Sequence, residues 1–463
     1  TLDYRFDPKA NIRPWDKTLY IKVVKGFFRE GDQLIVHYGD PISGCPGMRM
    51  QTFCEETFEF KVLVDAFATC QYIEVPESPV LSIVPGAVAK WKAQLPTMRR
   101  VNESFRLLLK AEDRWGNPAD QTDFRLRFSP TQSVNGLPSE TIDVSLKDGV
   151  LFFEGLSVPV PGDLSVELHD AKGDHVTRSN PLRIIEDSEL VPFWGELHGQ
   201  SEETIGTNSI YDYFAFARDK AGLDVIVHQG NDFQITNEFW EKIQSMTQQF
   251  LDEGELVTFP GYEWSGNTGL GGDRNVLFFQ EGEPIRRSSH VLVPDLTDLN
   301  NDCNSSDDLF LALKETKTIV FAHVGGRYAD IQSHEGNLER SVEIHSAWGT
   351  FEWLLQDALR FGYRVGIVSN SDGHKGRPGA SYPGASMFGS YGGLTCILAR
   401  KLTREMIWES LLRRHHYGTT GNRMYMDVGV LMNNPGTRFI EDPKLGDTEV
   451  ESTLECIMGD IVQ

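Results

Sequence analysis

The sequence predicts an α/β fold, a barrel of parallel strands and helices over residues 190 to 430, preceded by an all-β, sandwich-like region over residues 1 to 185. Two observations carry this. In the first region, short runs of alternating apolar and polar residues lie between Gly, Pro and Asp clusters, and no long helical pattern interrupts them. In the second, short apolar runs are followed by stretches with apolar residues at helical spacing. Alternating β and α segments of this kind bury their faces as a parallel sheet or barrel.

In chain order, TLYIKVVK (18–25), DQLIVHYG (32–39), FEFKVLVD (58–65) and FRLLLKAED (105–113) read as strands. Prolines among short apolar stretches in VPESPVLSIVPG (75–86) mark an internal joint, so the region is one sandwich or two smaller units. KAEDRWGNPAD (110–120) has the strand-then-turn pattern of an immunoglobulin-like module, and a second joint falls in IIEDSELVPFWGELHG (184–199). Beyond it, GLDVIVH (222–228), ELVTFPGYEW (255–264), KTIVFAHV (317–324), RSVEIHS (340–346) and YRVGIVSNSD (363–372) predict strands. Helices are predicted over 210–222, 238–254, 306–317, 351–362 and 403–416, the first and fourth closed by Gly. The tail over 431–463, rich in Asn, Pro, Gly and acids, is a strap or the start of a further β unit.

At 463 residues the chain is long for a single domain, and about 150 residues per domain gives two or three. A hydrophobic content of 40% with 24% charged residues is that of a globular protein and excludes disordered and fibrous classes. The net charge of −23 repels phosphate backbones and anionic lipid, so nucleic-acid and membrane partners are not expected. Arginines in a cleft still accommodate a small anionic substrate. No apolar run reaches the ~18 residues a membrane span needs. The six cysteines form no CxxC pair and no dense framework, and the start TLDYRFDPKA lacks a secretion signal. Reduced thiols and a cytoplasmic location are the expectation, with one bridge among Cys45, Cys54 and Cys70 as the alternative.

Residues able to bind a metal gather at the ends of the apolar strands. Side chains alternate with period two, so ELHGQS places Glu196, His198 and Gln200 on one face. The same spacing recurs as Glu343 and His345 in VEIHS, and as Asp372 and His374 in SNSDGHKG. Single strands end in Glu263 (GYEWS) and His323 (FAHVGG). One such pair alone reads equally well as a hydrogen-bonded strand end. Five strand ends together favour a site of imidazoles and carboxylates, which suits Zn, Mn or Fe. Among the loop cations, Arg274, Arg327 and Lys375 are candidates to grip an anionic group, against the alternative of structural pairing with carboxylates.

As an ordered set, ELHGQS, GLDVIVHQGND, GYEWS, FAHVGG, VEIHSAWG and SNSDGHKGRPG resemble the motifs of the polymerase-and-histidinol-phosphatase (PHP) family. The whole chain resembles PHP-related proteins of unassigned function that carry a β-rich N-terminal region. The resemblance implies a (β/α)7 barrel, up to three divalent metals at its strand C-terminal ends, and hydrolysis of phosphate esters. Residue by residue it assigns His198, Gln200, Glu263, His323, Asp372 and His374 to the metals, with Gln200 standing where the family has a second histidine. Another family motif falls on Gly230 and Asn231 and is degraded, so one or two transition metals (Mn, Zn or Fe) are expected rather than three.

The resulting expectation is a metal-dependent hydrolase in which a metal-bound hydroxide attacks a phosphate ester or related small-molecule ester. His345 or Asp232 transfers the proton. An amide, lactone or carboxyl-ester substrate, or a non-catalytic scaffold of the same lineage with a binding β module, is the rival expectation. The oligomeric state is not legible.

Overall fold

The alternating runs of the first 86 residues pair only locally. Leu2–Asp7 pairs with Thr18–Val23, Glu55–Glu59 with Val80–Ile83, and Leu63–Val64 with Ile73–Glu74, each as an antiparallel pair. DQLIVHYG (32–39) forms no strand. Among the described residues before 88, Phe53 is the one fully buried hydrophobic side chain, so this stretch builds no core of its own. The computed structural model describes residues 1–11, 15, 17–381 and 390–426; the tail expected over 431–463 lies outside them.

A core forms from about residue 90, where the alternation acquires facing sheets. Phe105–Glu112 lies between Val150–Leu156 and Lys90–Gln94. Gln121–Pro130 and Val166–Asp170 are the central strands of a four-stranded sheet, and Leu182–Ile185 is central to a three-stranded one. Leu107, Leu109, Leu126, Leu146, Leu164, Leu168 and Leu182 from these sheets share one apolar cluster. Burying each such side chain contributes roughly 1.5–3 kcal/mol.

The strands of the second half are numbered separately: β1 (Val191–Glu196), β2 (Val225–Val227), β3 (Val257–Phe259), β4 (Gly261–Ser265), β5 (Asp273–Phe278), β6 (Thr318–Ala322), β7 (Glu339–Ser346), β8 (Gly366–Ser369), β9 (Leu394–Ala399) and β10 (His416–Thr419). They make two sheets. One has the order β3-β2-β1-β9-β10, with β1, β2 and β3 parallel and β9 antiparallel to β1. The other runs β4-β5-β6-β7, with β8 also paired to β7.

The expected closed (β/α)7 barrel is therefore not the architecture. Pro260, which has no N–H to give to a ladder, ends β3, and the chain enters the second sheet at Gly261. There β4 turns back on β5 as an antiparallel pair, and β5 pairs antiparallel with β6, where a barrel would need helical crossovers. Between the sheets the ladder reduces to isolated bridges, Gly199 to Gly373 and Asn231 to Glu263.

Helices form in all five stretches expected of them, the second starting one residue earlier: α1 (Ile210–Ala215), α2 (Asn237–Phe250), α3 (Ser306–Leu313), α4 (Glu352–Arg360) and α5 (Arg404–Arg413). Ser209, Thr236, Ser305 and Thr403 cap the first, second, third and fifth by accepting a hydrogen bond from a first-turn N–H. None is long and apolar enough to cross a membrane. Cys45, Cys54, Cys70, Cys303 and Cys396 are free thiols.

Candidate metal centre

His198 follows β1, Glu263 lies on β4 and His323 follows β6. One ligand atom from each lies within 4.8 Å of the others, a possible three-residue metal site drawn from both sheets. All three side chains are buried. His198 Nε2 stands 3.7 Å from Glu263 Oε2, and His323 Nε2 stands 3.6 Å from Glu263 Oε1. Both Nε2 atoms are buried without a hydrogen-bond partner. Buried polar atoms are ordinarily satisfied, and unpartnered nitrogens converging on a carboxylate fit a cation between them.

Neighbouring residues decide which nitrogen of His198 is available. Its Nδ1 lies 3.1 Å from Glu343 Oε1, with the Asn275 amide 3.1 Å from the same atom. Asn370 Nδ2 in turn donates to Glu343 Oε2 at 2.6 Å. A carboxylate accepts at Nδ1, so the ring carries its hydrogen there and turns the Nε2 lone pair toward Glu263. Burial opposes the charged form of His198, but the Asp372 and Glu343 carboxylates outweigh it and lift its pKa well above the ordinary range. Glu263 is likewise resisted by burial, yet the facing imidazoles of His198 and His323 drive its pKa far down. The cluster stabilises positive charge at its centre.

Asp372 joins the cluster through the backbone: its N–H donates to the His198 carbonyl at 2.9 Å, beside the bridge at Gly373. Its Oδ1 lies 3.4 Å from His198 Nε2 and 3.2 Å from His374 Nε2. Gly325 permits this closeness, since a Cβ there would stand 3.2 Å from both Asp372 Oδ2 and the His323 ring. Gln200 is adjacent but presents its NH2, which donates to Glu263 Oε2 at 3.2 Å, while its oxygen accepts from Thr204 at 2.8 Å. It steadies the carboxylate rather than offering a lone pair.

The remaining candidates divide sharply. Arg327 borders the cluster: Nε bonds Asp273 Oδ1 at 2.7 Å, a guanidinium nitrogen lies 4.0 Å from Glu263 Oε1, and about a third of the side chain is exposed. Arg274 does not reach it. Asp273 and Asn275 of β5 face the cluster, and alternation turns Arg274 to the other side. There it binds Glu339 at 2.9 Å and the carbonyls of Gly271, Gly272, Asp330 and Ser333. Lys375 stands over the Phe53 ring at 4.2 Å. His345 has both nitrogens engaged, with Thr350 Oγ1 at 2.7 Å and the Tyr391 carbonyl at 3.0 Å. Asp232 is fully buried, holds the N–H groups of Ser265 and Ser288, and is raised by burial to about 6.

Sequence reasoning passed over Asp273, Asn275 and Asn370, and left Glu343 without a role. The first two lie in DRNVLF, where three polar residues run into three apolar ones, so β5 carries no alternation that would mark it as a strand.

A family described as proteins of unknown function, DUF3604, matches residues 175–338 and 379–431, a span that includes His198, Glu263 and His323 and omits Asp372 and His374. An uncharacterized protein of Chlamydia pneumoniae is 24% identical over 438 residues, covering 86% of this chain and 67% of that protein. One from Chlamydia muridarum is 22% identical over 424 residues, covering 84% and 65%. The chain thus spans about two thirds of the length of these curated relatives. Among solved structures, a CARDB domain from Pyrococcus furiosus is 12% identical with a TM-score of 0.16, covering 21% of this chain and 96% of that one. PhoD is 10% identical with a TM-score of 0.18, covering 39% and 40%. Likenesses so low carry no argument. The PHP resemblance is corrected by these findings and by the open two-sheet fold: the matching family is DUF3604, and the PHP and barrel assignments fall away.

Proposed function

We propose that the chain is a metal-dependent hydrolase acting on a small anionic ester, with a phosphate ester as the first substrate class to test. The observation that supports this reading is the group His198, Glu263 and His323, whose lone pairs converge in a buried space edged by the partly exposed Arg327. Two imidazoles and a carboxylate suit Zn, Mn or Fe. A bound divalent ion supplies a water-derived nucleophile near neutral pH and polarises the electrophile. His198 holds its Nδ1 hydrogen toward Glu343 and presents Nε2; Arg327 orients an anionic group; Asp372 supplies a further anionic oxygen for a first or second ion. Neither His345 nor Asp232 moves a proton in this reading, because their polar atoms are bonded elsewhere.

A second reading is a structural ion. It is favoured by the burial of the group and by the Asp372 carboxylate 3.4 Å from His198 Nε2, which would offer an ion a further anionic oxygen. Elemental analysis of the purified chain, followed by aryl phosphate, phosphodiester and carboxyl-ester panels with Mn, Zn or Fe added, separates the two. Turnover that requires metal and disappears in Glu263→Gln supports the hydrolase, and the ester class that reacts names the substrate. Metal without turnover, coupled to a fall in Tm on chelation, supports the structural ion. A chain that neither carries metal nor takes up Zn or Mn ends both readings.

A further inference from the structure

Outside the metal cluster, at the start of β7, positive charge accumulates without an acidic partner. Arg340 is the second residue of β7 and Glu343, which holds His198, the fifth, a separation on the order of 10 Å along an extended strand. Around Arg340 lies a cleft of about 440 Å³ lined by His334, Tyr363, Arg364, Arg414 and two glycines.

The three arginines come from separate parts of the chain: the start of β7, the approach to β8 and the end of α5. Arg340 Nε donates to the Asn337 carbonyl at 3.1 Å, and Arg414 Nε to the Arg364 carbonyl at 2.7 Å. Among the described residues no carboxylate forms an ion pair with any of the three. The nearby acid Glu339 is buried and already bonded to Arg274 and His334, each at 2.9 Å; Asp330 acts on Tyr363 from the same side. In a chain of net charge −23, with acids in plentiful supply, three guanidiniums lining one cleft without an ion pair make a local positive field that attracts an anion.

The backbone is shaped to keep them together. Arg414 ends α5 in the left-handed conformation, φ +62°, where glycine is the usual residue. Gly366 of β8 leaves room for it, since a Cβ there would stand 3.1 Å from Arg414 Cβ and 2.7 Å from His416 Nε2. Burial, then the Arg340 and Arg364 charges, push the Arg414 guanidinium below its ordinary pKa, in keeping with like charges in one place.

We propose that this cleft binds a tetrahedral oxyanion of the phosphate or sulfate class, free or as the terminal group of a small molecule. Guanidinium forks match such oxygens in paired hydrogen bonds, and three of them surround one group from three sides. The proposal is independent of what the metal cluster does.

The test is calorimetric titration of inorganic phosphate, and separately sulfate, into the full chain in low-salt chloride buffer. Expected is saturable binding near one equivalent with a dissociation constant of about a millimolar or tighter, weakened about 10-fold or more in Arg340→Gln/Arg364→Gln. Both positions are at the rim of the cleft and make no ion pair, and unchanged circular dichroism verifies the fold. Asp372→Asn, which alters the metal cluster, leaves the binding unchanged. No saturable binding up to about 50 mM, equal affinity in the double variant, or loss of binding in Asp372→Asn overturns the proposal. So does a single-stranded oligonucleotide that binds through the same arginines far more tightly than a mononucleotide, because the cleft then serves a polymer.

Discussion

Glu343 illustrates how a residue without a lone pair in the metal space still governs it. It holds His198 through Nδ1, and Asn370 holds Glu343. Glu343→Gln preserves shape while weakening that grip, and we expect metal affinity to fall about 10- to 100-fold with little change in fold, read by competition with a chelator; unchanged affinity would remove Glu343 from the site. Arg274 and Arg327, equivalent as loop cations in the sequence, are opposite in the structure. Arg274→Ala leaves the buried Glu339 with His334 but without its guanidinium and is expected to destabilise the chain by about 3–5 kcal/mol. Arg327→Ala removes a partly exposed side chain that also pairs with the buried Asp273, and is expected to cost less stability than Arg274→Ala while weakening any anionic substrate. Denaturant unfolding of the two variants side by side decides the point. The sequence could not separate them because alternation sorts faces only once the strand is known, and β5 was not recognised.

At the scale of elements, helices were the legible part, since their apolar spacing survives any tertiary arrangement and only their lengths shifted. Apolar runs that end in polar residues located the strand ends that carry His198, Glu263 and His323, but the direction and partner of each strand came from contacts remote in sequence. ELVTFPGYEW reads as one strand, yet Pro260 divides it between two sheets. FRLLLKAED shows another element-scale effect. Glu112, at the end of its strand, lies within 3.1–3.2 Å of Lys90, Lys92 and Lys110. Burial works against its charge, but Lys110, Lys92 and Lys90 outweigh it and hold the carboxyl down to about 2, from an ordinary value of 4.5. The unfolded chain therefore takes up the proton first. The stabilisation is complete above pH 4.5 and is lost as pH falls toward 2. Unfolding midpoints measured across that window should fall more steeply for the native chain than for Glu112→Gln; identical slopes would show that the lysines do not stabilise the carboxylate.

On the scale of the molecule, the β region and the second half are pinned together rather than strung on a linker. Trp194 Nε1 donates to Thr97 Oγ1 at 2.7 Å, and Arg377 binds Asn117 at 3.1 Å and the Gly116 carbonyl. Cutting at the 184–199 joint, which the sequence offered as a clean boundary, strands the buried Arg377 without these acceptors. The metal cluster has a further consequence, because its donors stand on different sheets: His198 on one, Glu263 and His323 on the other. An ion at that place acts as a clasp at the ends of the strands, adding a tie between two layers that already share apolar cores. Binding energy then becomes resistance to the layers parting, and Tm should climb with free Zn or Mn as the logarithm of its concentration over the dissociation constant. Stripped by a chelator, the same chain should loosen first along that line, with amide hydrogens of Gly199, Gln200, Glu263 and Asp372 exchanging ahead of those in the centres of the sheets.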